Sequence, residues 1–166
     1  MIRLEDFLAA NPQARVVAAG ADTFPSFAFD SRLVQPGQLF MAVRTAKGDG
    51  HEHIAAAVAG GAGGVLCERL DGWTPPPGLT VLLVPDTAAA VQAHAAAIIR
   101  RRGLPVVAVT GSAGKTSVKE FIAHVLGARY RVFRNPGNFN DSYGLPIALG
   151  FLEDRHEILV LENGRV

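Results

Sequence analysis

Residues 110–117 read Thr-Gly-Ser-Ala-Gly-Lys-Thr-Ser and follow the apolar run Val106–Val109. Such a segment carries a strand into a glycine turn and then into a helix that starts at or near Gly114-Lys115. The backbone N–H groups of the turn converge on one concavity, and the positive helix end adds to their field, so a polyphosphate can sit there. Lys115 is then placed to reach β- and γ-phosphate oxygens, and the Thr116 hydroxyl to ligate Mg2+. The usual pattern, Gly-x-x-x-x-Gly-Lys-Ser/Thr, is incomplete, because Val109 stands where its first glycine belongs.

Other residues offer weaker chemistry. The apolar run 158–161 ends in Glu162. An acid at the carboxyl end of a strand, near a phosphate loop, is placed to hold a metal or orient a water. In the segment 135–146, dense in Asn, Gly and Pro, Asn138 and Asn140 are candidates for a nucleotide or substrate loop, although turns select the same residue types for conformational reasons. Asp30, Ser31 and Arg32 close another strand and present a hydroxyl and a cation to an anionic or polyhydroxylic ligand. His51 and His53 do not make a metal site, since residues two apart share no helix face and no Cys or acid cluster completes a tetrahedral set. They read as polar residues at a helix start. His94, His124 and His156 are scattered and require no special role, and no Gly-x-Ser-x-Gly elbow, Cys-His pair or zinc ribbon occurs.

Positioning these residues requires strands alternating with helices, and the pattern predicts an α/β protein with mainly parallel strands. A helix over residues 3–11 precedes strands at 14–19, 26–31 and 38–43, with a turn at Gln35-Pro36-Gly37. A helix over 51–61 leads to a strand at 63–68. A Pro-rich loop then precedes a strand at 80–84 and a helix capped by Asp86 or Thr87 that runs to Arg102. Gly103–Pro105 is the expected domain boundary. Beyond it come a strand, the glycine loop, a helix over 115–127, a strand at 130–135, the Asn-rich loop, a helix over 142–152 and a strand at 157–163. Three strands are few for a second sheet, and the pattern offers no obvious cover for both of its faces.

Composition narrows the class. With 49% hydrophobic and 19% charged residues the chain can bury a core, which excludes a disordered tail. A formal charge of +1, with basic residues bunched only at Arg100–Arg102, argues against nucleic-acid or acidic-membrane partners; that triplet reads as a solvated helix end beside the negative helix pole. The single cysteine, Cys67, excludes an intrachain disulfide and reads as a small core residue of a strand in a reducing compartment. No signal peptide is apparent at the start, and no stretch attains the roughly 20 apolar residues of a membrane span. The expectation is a cytoplasmic protein without membrane insertion.

Taken in order, four stretches give the chain its resemblance to a known family. Residues 30–43 with 47–66, then 106–126, 137–149 and 158–164, resemble the Mur ligases, and most closely the MurF type, which adds D-alanyl-D-alanine to UDP-N-acetylmuramoyl-tripeptide. The resemblance implies a small N-terminal α/β domain binding the UDP precursor, residues 1–103, followed by the first part of a P-loop ATPase domain, residues 104–166, with a C-terminal ligase domain absent. It implies that Gly111, Ser112, Ala113, Gly114, Lys115, Thr116 and Ser117 bind ATP, that Thr116 and Glu162 hold Mg2+, and that Lys115 and Glu162 are catalytic. Ser31 and Arg32 are then expected near the uridine diphosphate. The implied reaction begins with the tripeptide carboxylate attacking the γ-phosphate of ATP, and the amine of D-alanyl-D-alanine then attacks the acyl phosphate. A monomer is expected.

There are departures from the family pattern. Asp141 replaces the second Asn of its Asn pair, and Asn163 replaces the Met or Leu after the acid. Members carry a longer central domain and a further domain, and the modified lysine they use would lie beyond Val166, so residues 1–166 alone are expected to be inactive. The alternatives are a non-catalytic module that binds a UDP-muropeptide or nucleotide, a MurE-type ligase that adds an amino acid, and another P-loop phosphotransferase or folylpolyglutamate synthase-like ligase.

Overall fold

The computed structural model describes residues 1–45, 48–136, 144–149, 151–153 and 155–164. In chain order its elements are β1 (Ile2–Arg3), α1 (Leu4–Ala10), β2 (Arg15–Ala18), β3 (Thr23–Phe24), β4 (Phe27–Ala28), β5 (Leu39–Met41), β6 (Arg44–Thr45) and β7 (Gly48–Asp49), followed by a 3-10 turn (Gly50–His53), α2 (Ile54–Ala59), β8 (Gly64–Cys67), β9 (Thr80–Leu83) and α3 (Thr87–Arg102). Then come β10 (Val106–Val109), α4 (Lys115–Gly127), β11 (Val132–Arg134), α5 (Gly144–Leu149) and β12 (Ile158–Glu162). The chain divides into two compact units, Met1–His94 and Ala95–Val166, and the division falls inside α3.

The first unit is built on a five-stranded sheet of order β2-β9-β8-β5-β4. Its β4/β5, β5/β8 and β8/β9 pairs are parallel. The β2/β9 pair is antiparallel and carries a register shift between Val16 and Ala18. Strands β5 and β8 are buried along their whole length, as expected of parallel strands covered on both faces. Alternation divides the core: Phe40, Val65, Cys67 and Val81 pack with Ile54 and Ala57 of α2, while the intervening Leu39, Met41, Leu66 and Leu82 face the other way. Gly64 makes room on that second face, because a Cβ there would stand 2.7 Å from the Phe24 ring. Phe7, Phe27 and His94 stack nearby, with ring centroids 5.3–6.5 Å apart. Cys67 is the buried strand residue its setting suggested, and burial, with the Glu68 charge beside it, pushes its thiol up to about 11.

The second unit holds a parallel three-stranded sheet of order β10-β12-β11. Its two faces are both covered, contrary to what strand count alone suggested. Val109, Val160 and Ala123 of α4 form one side, with Val107, Ile122 and Leu126 packed around them. On the other, Leu159, Leu161 and Phe133 meet Ala148 and Leu149 of α5 and Ala95, Ile98 and Ile99 of α3. The second half of α3 is thus a layer of this sheet. Arg102 at its end is not simply solvated: it donates to the carbonyls of Glu153 and His156, both at 2.9 Å.

Candidate functional site

The parity of β12 decides where Glu162 points. Val160 packs toward α4 and Leu159 and Leu161 toward α5, so Glu162, two residues after Val160, projects to the α4 side at the carboxyl end of the central strand. The preceding loop delivers α4 to the same end. Gly111 and Gly114 have φ of +146° and +73°, which residues with a Cβ rarely adopt, and Gly114 caps the helix in the left-handed conformation. Thr116 lies in the first turn of α4 and donates its hydroxyl to Glu162 Oε2 at 2.9 Å. Ser112, Ala113, Gly114, Lys115, Thr116, Ser117 and Glu162 line one open concavity of about 310 Å3. Lys115 Nζ donates to the Gly111 carbonyl at 2.7 Å, folding the lysine over the loop.

Two residues that motif reading passed over complete this site. Lys119 is fully buried; its Nζ donates to the Asn135 carbonyl at 2.8 Å and lies 3.7 Å from Glu162 Oε2. The Asn135 side chain accepts from the Glu162 N–H at 2.8 Å and donates to the Glu162 carbonyl at 3.2 Å. Strand β11 ends at Arg134, so the Asn135 amide takes the part of a neighbouring strand for Glu162. On the opposite edge the Asn163 N–H continues the ladder to the Val109 carbonyl at 2.9 Å. The signal for Lys119 was present in the sequence: it lies three residues after Thr116 and four before Ala123, on the buried stripe of α4. Asn138 and Asn140, with Asp141, lie outside the described residues.

Ser31 and Arg32 belong to the first unit, in the turn after β4. The Arg32 guanidinium grips Asp30 through Nε at 2.9 Å and Nη2 at 2.6 Å, and its backbone N–H adds a bond at 3.0 Å. These bonds hold the Asp30 carboxyl down at about 2 and raise Arg32 in turn. A second polar group surrounds Asp49, whose carboxylate accepts from Arg69 at 2.7 Å, from the His51 N–H at 3.0 Å and from His51 Nδ1 at 2.6 Å. Arg69 first, then His51, hold Asp49 well below the usual carboxylate range. His51 Nε2 accepts the Glu68 N–H at 2.9 Å, which fixes its proton on Nδ1. His51 lies in the 3-10 turn that leads into α2, a polar residue at a helix start that is also a buried connector, and no group of three metal-binding side chains occurs among the described residues.

A family model described as the Mur ligase family, catalytic domain, matches residues 23–136. The chain belongs to the Mur ligase family. A second model, the Mur ligase middle domain, matches residues 109–166, which contain the loop, α4 and Glu162. Among curated Mur ligases, the UDP-N-acetylmuramoyl-tripeptide–D-alanyl-D-alanine ligase of Bacillus subtilis is 39% identical over 93% of this chain and 33% of its own length. The ligase of the same name from Treponema pallidum is 36% identical over 99% of this chain and 38% of its own. Among solved structures, MurF from Acinetobacter baumannii superposes with a TM-score of 0.86 at 27% identity, covering 98% of this chain and 35% of that one. The MurF ligase of Thermotoga maritima in complex with ADP gives 0.70 at 34% identity, covering 82% and 31%. The chain thus spans about a third of the length of the Mur ligases it matches. No helix among the described residues is long and apolar enough to cross a membrane.

Proposed function

We propose that this chain carries the nucleotide loop and the precursor-binding region of an ATP-dependent amide ligase that joins D-alanyl-D-alanine to UDP-N-acetylmuramoyl-tripeptide. The observation that carries the reading is the Thr116–Glu162 bond at the mouth of the glycine loop, in a chain 39% identical to a ligase of that name. The loop amides and Lys115 hold the triphosphate, with Lys115 exchanging the Gly111 carbonyl for phosphate oxygens. Thr116 and Glu162 are hard oxygen donors 2.9 Å apart, a set that suits Mg2+. Bound there, the ion would neutralise charge on the phosphate oxygens.

Two polyanions must meet in this reaction, which is why the cationic loop is needed. The tripeptide carboxylate oxygen bonds to the γ-phosphorus as the bond to the ADP oxygen breaks. The dipeptide amine then bonds to the acyl carbon, phosphate leaves, and the nitrogen gives up a proton to solvent. Ser31 and Arg32 are assigned to the UDP end of the precursor; Asp30 occupies Nε and Nη2 of Arg32, so a phosphate oxygen would be met through Nη1. A cytoplasmic setting is proposed for this reaction, and a sequence with a single cysteine, Cys67, fits it.

The test is ADP release by the full-length protein given ATP, Mg2+, UDP-N-acetylmuramoyl-tripeptide and D-alanyl-D-alanine. Release requiring both peptides, with an amide product identified by mass, supports the reading. Ligation of a free diamino acid to the shorter precursor instead would assign the MurE-type alternative, and nucleotide binding without turnover the non-catalytic module.

A further inference from the structure

Among the described residues of the second unit Lys119 is the most deeply buried charge, and the loop chemistry described above does not use it. Its side chain is 0% exposed and that of Glu162 2%. Burying an ammonium is costly, and a methionine or leucine would fill the same gap between α4 and the sheet without that cost. The contacts show what the charge is for. Nζ bonds the Asn135 carbonyl at 2.8 Å, stands 3.4 Å from Glu120 Oε1, and stands 3.7 Å from Glu162 Oε2. Glu120 is itself held by Arg134 at 3.1 Å, so the lysine has a fixed partner on its outer side. The oxygen it approaches on Glu162 is the one that accepts the Thr116 hydroxyl. Asn135 meanwhile pins the Glu162 backbone through both its N–H and its carbonyl. Side chain and main chain of Glu162 are thus constrained from two directions, by residues that do not line the concavity.

We propose that Lys119, together with Asn135, is a positioning pair that holds the Glu162 carboxylate against the Thr116 hydroxyl, so that both meet the divalent cation accompanying a nucleotide. The proposal rests on the nucleotide-loop reading above. Partners of this kind behind a metal-binding carboxylate change metal affinity by about 10- to 100-fold when removed.

The test uses the full-length protein and Mn2+ as the probe. Free Mn2+ is followed by electron paramagnetic resonance in titrations at saturating ADP, and ADP affinity is measured separately without metal. Lys119→Met and Lys119→Gln are expected to raise the half-saturating Mn2+ concentration about tenfold while leaving metal-free ADP affinity unchanged. Combining Lys119→Met with Glu162→Gln should weaken Mn2+ binding no further than Glu162→Gln alone. That double variant also removes both buried charges together, so it carries the test where Lys119→Met fails to fold. A folded Lys119 variant with wild-type Mn2+ dependence overturns the proposal, as does a double variant in which the two losses multiply. Absence of ADP binding by the wild type overturns the nucleotide reading itself, and the positioning role with it.

Discussion

Lys115 donates to a loop carbonyl at 2.7 Å, so its ammonium already lies over the concavity that the loop amides surround. In the proposed site, replacing it with Ala would remove charge-assisted bonds to phosphate, each worth about 1.5–3 kcal/mol. The expected loss in ADP affinity is about 100-fold, or about 2.7 kcal/mol by calorimetry; unchanged affinity would remove Lys115 from the site. A second residue-scale prediction concerns acid. The Asp30 carboxyl is held at about 2 by Arg32, below its ordinary value of about 3.9 in an unfolded chain. A depressed folded value contributes stability that is fully present above the unfolded value and is lost as pH falls through the folded one. The stability difference between wild type and Asp30→Asn in urea melts should therefore be constant above about pH 5 and shrink toward pH 2. Asp49, held down by Arg69 and His51, contributes a loss of the same sign to both proteins and so cancels from that difference. Motif reading reached Lys115, Thr116 and Glu162 because their types and spacing are tied to phosphate chemistry. It did not reach Lys119 or Asn135, whose roles come from contacts 16 and 27 residues away in sequence, and it placed His51 at a helix start without its contact 17 residues away.

At the scale of elements, the long periodic segments were legible, as was β4, and the other two-residue strands were not. Helices α3 and α4 are long, and the apolar runs of strands β8, β9, β10 and β12 are short and bounded by turn residues, so length and flanks separate the two types. Strands β1, β3, β6 and β7 are two residues each and exist only through their partners, as in the Ile2–Phe24 and Arg44–Asp49 pairings. The direction of β2 was equally hidden: its residues pattern like a parallel strand's, but it lies antiparallel at the sheet edge. The cover of the second sheet was missed for a related reason, since α3 reads as one continuous helix while its halves pack in different units. Element-scale energetics can be checked at two positions. Gly114→Ala meets no atom within 4 Å, so its cost is conformational, about 1–2 kcal/mol, seen as a lower denaturation midpoint. Leu159→Ala empties a core position of β12, where the side chain is 0% exposed, and should cost about 2–5 kcal/mol.

For the molecule as a whole, the ligases this chain matches are about three times as long, yet 98% of the chain superposes on one of them. The residues present supply the glycine loop proposed to hold phosphate, two hard oxygen donors in Thr116 and Glu162, and the buried Lys119 and Asn135 beside them. Amide formation needs more: the tripeptide carboxylate must be brought in line with the γ-phosphate, and the dipeptide amine must then reach the acyl carbon. Positioning of that kind accounts for about 7–11 kcal/mol of a barrier and requires surfaces on both reactants. Binding of the nucleotide phosphates, by contrast, is local in the proposed site to the loop, the start of α4 and the end of β12. Residues 1–166 prepared alone are therefore expected to bind Mg-ADP, with Thr116→Val weakening that binding, but to form no amide from ATP, UDP-N-acetylmuramoyl-tripeptide and D-alanyl-D-alanine. Calorimetry and product analysis on one preparation separate the two outcomes. Amide formation by residues 1–166 would show that both reactants are positioned within this third of the length, and would move the search for the dipeptide site onto these two units.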